Sequence, residues 1–348
     1  MQSMIARRVV AAIALLCAAF VTQPALAGDA VGVRMLSLRI AIRARPVGVT
    51  LWYPARPGGT PVAVGANGVF QGAAGQRDAP FADGVFPVVL VSHGGMRAAA
   101  NLGGWLDRAL AARGFVVADV HAARLGPGDA AKAPAEIWRR PADLSAALSL
   151  LERDPRVAPH LDAVRVGAVG FFLGGTAILS LAGARLDAAR YAATCDPGGS
   201  GIDCAWFAEA HVDLHAVDAA RLAGAHADPR IKVAIAVDPE LSDSFSAASL
   251  HALTVPVEIV GLGRPGAMPP GLDAAGLARA NPRIGYRRVA GANWFDGFAL
   301  CRPKGAAILA ASGATEALCQ SNAGRARIHA KLARLIAGLL RAHLPPAR

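Results

Sequence analysis

The chain has no block of like charge and no basic stripe interleaved with aromatics, so it lacks the electrostatic footprint that nucleic acid requires. Lysine is scarce: only Lys132, Lys232, Lys304 and Lys331 occur, and the arginines are scattered singly or in pairs such as Arg139 with Arg140. Together with the abundance of alanine, this makes the net charge of +11 a matter of composition rather than a binding surface. Aromatic residues make up 5%, and no internal repeat is present, which removes solenoids and propellers from consideration. Cysteine is also sparse, and none of the five forms a CxxC pair beside histidine, so a zinc site is disfavoured and no metal or cofactor is implied.

The apolar run from Val9 to Val21 falls short of the roughly 20 residues that a spanning helix needs. Arg7 and Arg8 precede it and the small-residue site Ala25, Leu26, Ala27 follows, the layout of a secretory signal. Cleavage is expected after Ala27. That leaves a mature chain from Gly28 to Arg348 with formal charge lowered from +11 to +9 by loss of the two arginines. Such a chain would be secreted or periplasmic, with no stable membrane span. Cys17 does not signal lipid attachment, because bulky Leu16 stands where a small residue is needed. Cys195, Cys204, Cys301 and Cys319 remain after cleavage, an even number in an exported chain, and imply two disulfides. Three connectivities are open; proximity favours Cys195 with Cys204 and Cys301 with Cys319.

A single α/β domain with an insertion is the economical organisation. Val31 to Ile42 and Val47 to Tyr53 alternate as an antiparallel opening pair, and Gly58 to Asp83, rich in Gly, Ala and Pro, reads as a surface loop. Short continuous apolar runs then alternate with amphipathic segments, the mark of parallel strands buried between helices. The strands are Pro87 to Ser92, Phe115 to Val120, Val164 to Phe171, Ile231 to Val237, Val255 to Gly261 and Ile284 to Val289. Helical spacing covers Leu102 to Ala112, Pro141 to Leu151, Gly175 to Ala184 and Ile328 to His343. The expectation is an eight-stranded, mostly parallel, doubly wound sheet, with Asp187 to Pro229 inserted after the central helix as a lid over the carboxyl edge.

In such a sheet function gathers outside the carboxyl ends of the strands. The turn after Val164 to Phe171 reads Gly170, Phe171, Phe172, Leu173, Gly174, Gly175 and runs into a helix. Small residues flanking one central position are what a sharp strand-to-helix turn tolerates. This is the GxSxG nucleophile-elbow layout with Phe in place of Ser.

The stretch Arg165 to Ala184, "RVGAVGFFLGGTAILSLAGA", resembles the central segment of predicted dienelactone hydrolases of the α/β-hydrolase superfamily, where GHSxGG is expected. "VTLWYPA" from Val49, "PVVLVSHGG" from Pro87, "ALAARGFVVA" from Ala109 and "ASLHALTVPVEIVG" from Ala248 extend the resemblance, in order, over most of the mature chain. It implies an α/β-hydrolase fold with a Ser-His-Asp triad. The family's acid, in a GExD context, falls where this chain has Gly261, Leu262, Gly263, Arg264; its base, in GAGHFDF, falls where Gly291, Ala292, Asn293, Trp294, Phe295, Asp296 stand. Phe172, Arg264 and Trp294 therefore replace the nucleophile, acid and base.

A register shift rescues nothing. No Ser, Thr, Cys or Asp lies between Asp162 and Thr176, no carboxylate between Glu258 and Asp273, and no His between His251 and His329. A hydroxyl nucleophile needs a positioned base, itself oriented by a carboxylate. Phe has no lone pair, Trp only donates, and Arg stays protonated.

Remnants of the family's site are expected at the His93, Gly94, Gly95, Met96 turn, with Gly95, Met96 and Leu173 as oxyanion-hole amides. His93 reads as a brace for that turn, His121, which with Asp119 ends the strand Phe115 to Val120, as a hydrogen-bonded structural residue, and Asp296 as a structural carboxylate. Asp238 and Glu240 occupy a position from which some α/β-hydrolases supply their acid. Arg264 is expected to lie over the Trp294 indole, a contact of roughly 0.5 to 2 kcal/mol. The implied pocket of His93, His121, Phe172, Arg264 and Trp294 would suit a small apolar or carboxylate ligand. An ester or lactone hydrolase working through other residues is the alternative, and a protein partner for the insertion is a third possibility.

Overall fold

The computed structural model describes residues 30–264, 266–312, 316–320 and 322–346; the segment expected as an export signal, with Cys17, lies outside them. Continuous apolar runs become strands buried on both faces. In β5 (Phe86–Ser92) Val88 and Leu90 face one layer while Val89 and Val91 face the other, all at 0% exposure, because successive side chains leave a strand on opposite sides. The same division holds in β6 (Val116–Val120), β7 (Leu161–Phe171), β8 (Ile231–Val237) and β9 (Val257–Gly261). With β10 (Ile284–Arg288) they pair in parallel in the order β10-β9-β8-β7-β5-β6.

Helices α2 (Glu136–Leu151) and α3 (Leu173–Leu181) cover one face. Helix α1 (Gly104–Ala111) and the C-terminal helix Asn322–His343 cover the other, through Leu106, Leu110, Leu332, Ile336 and Leu340.

The sheet has ten strands rather than the expected eight. Beyond the antiparallel β1 (Val31–Leu38) and β2 (Val47–Pro54), the segment expected as a surface loop forms the hairpin β3 (Thr60–Val64) and β4 (Ala73–Arg77). Tertiary docking overrides the loop-like composition. β4 pairs with β1 at Gly32 and Val33, and Gly75 lies so close to Trp52 that a Cβ there would stand 2.8 Å from the indole. Small residues are what let the hairpin seat. Helix α2 likewise begins a turn before the expected Pro141, and Glu136 in that extra turn is 2% exposed and receives Arg43 Nη1 at 2.5 Å and Nη2 at 2.8 Å. That ion pair spans 93 residues and has no local signature.

The segment 187–229 holds three short helices, Ala188–Ala192, Cys204–Glu209 and Ala219–Leu222. Cys195 bonds Cys204 and Cys301 bonds Cys319, with Cα separations of 5.2 and 5.7 Å. No helix among the described residues is long and apolar enough to cross a membrane.

Candidate functional site

The turns after β5, β7 and β8 converge where the strand order changes direction, β6 lying on one side of β5 and β7 on the other, the usual place for a site in an open α/β sheet. Phe172 joins β7 to α3 at φ 57, ψ −126, a region costing a non-glycine residue on the order of 1–3 kcal/mol. Its neighbours must be glycine: a Cβ on Gly170 would meet Gly174 O at 2.3 Å, and one on Gly174 would meet Ser92 O at 2.1 Å. Hydrogen bonds hold the turn on both sides, from Phe172 N to Val237 O at 3.0 Å, from Thr176 N to Phe172 O at 3.1 Å and from Glu240 N to Phe172 O at 3.2 Å.

The Phe172 ring is 2% exposed. It stacks on Phe298 with centroids 5.0 Å apart and meets His93 edge-on at 5.7 Å and Trp294 edge-on at 6.4 Å. An aromatic cluster thus fills the space above the elbow. His93 Nε2 pairs with Gly297 O at 3.0 Å, and burial lowers its pKa to about 4. Trp294 packs against Phe295 with centroids 3.6 Å apart and the rings tilted by 30°.

Arg264 does not lie over Trp294. It is exposed, and the guanidinium-aromatic contacts among the described residues belong to Arg34, Arg97 and Arg341. The physical reason is that the indole already has a ring on its face and the loop after β9 keeps the charge in water. His121 makes no ring contact with the cluster: its Nε2 meets Thr50 Oγ1 at 2.9 Å and lies 3.9 Å from Asp119, and His121 and Asp119 line, with His93 and Asn101, a cavity of only about 10 Å³. Asp238 accepts from Leu262 N at 3.0 Å, tying β8 to β9, and burial raises its carboxyl to about 8. Asp296 accepts from Asn293 N at 2.9 Å and lies 3.5 Å from Arg325.

The sequence reading missed what Glu240 does. Its backbone is tied to the elbow through Phe172 O and also accepts a hydrogen bond from Thr176 Oγ1. Its carboxyl lies near the Leu173 amide, which favours the charged form, and presses on Gly95, where a Cβ would stand 2.8 Å from Oε1. A side-chain carboxyl therefore sits between the residues expected to form an oxyanion hole. Burial and the charge of Asp203 raise this carboxyl to about 8, against the pull of Arg140 and the Leu173 amide. Arg140 donates from Nη1 to Gly94 O and from Nη2 to Gly95 O, both at 2.7 Å, and so holds the turn after β5.

Beside Glu240 opens a recess of about 30 Å³, whose lining includes Met96, Tyr191, Thr194, Asp203, Glu240 and Ser244. Tyr191, Thr194 and Asp203 come from the segment 187–229. Only the spacing of Glu240 after its strand, three residues beyond Val237, pointed here from the sequence. Among the described residues no group of three or more His, Cys, Asp or Glu could hold a metal ion.

No protein-family model matches the chain, and no curated protein matches it. Among solved structures, the ferulic acid esterase from Streptomyces cinnamoneus superposes with a TM-score of 0.57, covering 91% of each chain at 19% identity. The likeness shows a fold of the α/β-hydrolase type.

Proposed function

We propose that this chain is an exported, non-hydrolytic relative of the dienelactone hydrolases, which keeps the fold and holds a small ligand in the recess beside the elbow. One observation carries the reading: the elbow backbone is intact, but the residue on it is a buried Phe, and the Glu240 carboxyl stands near the amide next to it. A serine hydrolase needs an exposed hydroxyl, a base within reach and free amides for the oxyanion. The elbow offers no hydroxyl, and the Glu240 carboxyl crowds the amide beside it. Two disulfides together with the signal-like N-terminus support export.

The ligand differs from the small carboxylate that Arg264 suggested. Arg264 is exposed and does not line the recess, which presents Glu240 and Asp203 instead.

One feature favours the competing reading, a carboxylic-ester or lactone hydrolase of the dienelactone type working through other residues. A carboxyl with a pKa near 8 in a cleft is a candidate general base or acid. Assaying the purified chain on short-chain p-nitrophenyl esters, with fluorophosphonate labelling alongside, separates the two. The expected outcome is no label and no turnover above buffer. Labelling, or turnover that Glu240→Gln abolishes, overturns the non-hydrolytic reading.

A further inference from the structure

The recess is one-sided in its chemistry. Tyr191 is 2% exposed and Ser244 0%, and neither Tyr191 Oη nor Ser244 Oγ has a hydrogen-bond partner. Buried hydroxyls are nearly always partnered, so two orphans lining one recess mark a place where a bound group supplies the missing bonds. Two carboxyls, Glu240 and Asp203, line the same space. The cations nearby are otherwise engaged: Arg140 is committed to the carbonyls of Gly94 and Gly95, and Arg97 lies 3.9 Å from Asp203 with its guanidinium over Trp206 at 4.9 Å. The Leu173 amide, which would greet an anion, has the Glu240 carboxyl beside it instead. Backbone strain gathers around the same space, with Phe172, Asp238 and Leu241 all at positive φ, as happens where a site is held in shape.

We propose that the recess binds the ammonium group of a small primary amine, with the Glu240 carboxylate and the hydroxyl oxygens of Tyr191 and Ser244 accepting its three N–H bonds and Asp203 adding negative charge. The inference rests on the ligand-holding reading above and names its ligand class. A volume of about 30 Å³ accommodates about two water-sized groups, which matches an ammonium nitrogen and one carbon. Where a hydrolase of this fold receives an oxyanion, Glu240 has inverted the polarity of the site.

Binding is coupled to a proton. Burial and Asp203 hold Glu240 protonated up to about pH 8, with Arg140 and the Leu173 amide opposing them. An arriving ammonium drives that proton off. Affinity therefore rises about fifty-fold between pH 6 and pH 8, and close to one proton is released per amine at pH 7.

The test is isothermal titration of the mature chain with methylammonium chloride at pH 6, 7 and 8, in two buffers of different ionisation enthalpy. Sodium chloride serves as the ionic control and sodium acetate as an anion of similar size. Saturable methylammonium binding with proton release and the stated pH dependence supports the proposal. Glu240→Gln should abolish the pH dependence and weaken binding at least tenfold. Tyr191→Phe should weaken it several-fold without moving the pH dependence. The buffer comparison needs no variant, so a misfolded substitution leaves the proposal exposed to refutation. Absence of methylammonium binding beyond sodium chloride overturns it, as does pH-independent binding or a preference for acetate. Such a failure with no ester turnover leaves the non-hydrolytic reading standing, whereas ester turnover sinks that reading whatever methylammonium does.

Discussion

Glycine should be more stabilising than alanine at position 172, the reverse of their usual order. Removing the Phe172 ring, 2% exposed and packed on Phe298, His93 and Trp294, should cost on the order of 3–5 kcal/mol in either variant. The two differ in the backbone. At φ 57, ψ −126 a Cβ carries about 1–3 kcal/mol of strain, which Phe172→Ala retains and Phe172→Gly relieves. Against this stands the larger unfolded-state entropy of glycine, about 0.5–1 kcal/mol. The balance favours Gly over Ala by roughly 1 kcal/mol, or about 2 °C in Tm for a chain of this size. Urea denaturation followed by far-ultraviolet circular dichroism, with disulfides intact and equal m-values, measures the difference. Ala177→Gly in the middle of α3 supplies the ordinary case, where glycine should cost about 1 kcal/mol. If Phe172→Ala proves as stable as Phe172→Gly, or more so, the elbow is not strained.

Opening the disulfides should lower stability through the loops they close. For separations of 9 residues in Cys195–Cys204 and 18 in Cys301–Cys319, the chain-entropy relation gives about 2.6 and 3.2 kcal/mol. Urea midpoints of the single Cys→Ala pair variants check the order, and a thiol titration of the unreduced mature chain should find no free cysteine. Two opposed contributions set the pH profile of stability, nearly cancelling between about pH 4.5 and 6.5 and leaving a net fall from about pH 6.5 to 8. His93 and His329 have pKa values lowered by burial to about 4, so between pH 6.5 and 4 the unfolded chain binds more protons and stability falls as pH drops. Glu240 and Asp238 are raised by burial to about 8, so the folded chain keeps protons that the unfolded one has lost and stability falls as pH rises from about 4.5 to 8. His329→Gln should therefore make stability fall with rising pH between pH 5 and 6, and Glu240→Gln should make it rise there and shallow the fall from pH 6.5 to 8, each by up to about 1.4 kcal/mol per pH unit, read from urea unfolding at pH 5, 6, 7 and 8.

What the residues alone determined is local in origin. Runs such as Val88 to Val91 are apolar on both faces, and only a strand between two helical layers buries them. Gly170 and Gly174 announce the elbow because no side chain fits beside it, and the want of a nucleophile there is a fact of composition that no folding could repair. The tertiary structure decided whatever depends on groups far apart in the chain. The hairpin β3–β4 exists because Gly75 can approach Trp52, and α2 starts early because Arg43 reaches Glu136. Arg264 turned to solvent instead of the Trp294 indole. Glu240 reached in beside Gly95 and, with Tyr191 from the segment after α3, lines a recess of acceptors where the resemblance implied a site for anions. Periodicity and steric exclusion act over a few residues and can be read from them. The sign of charge that a recess presents depends on which loops meet above the sheet, and that is set only when the strands have taken their order.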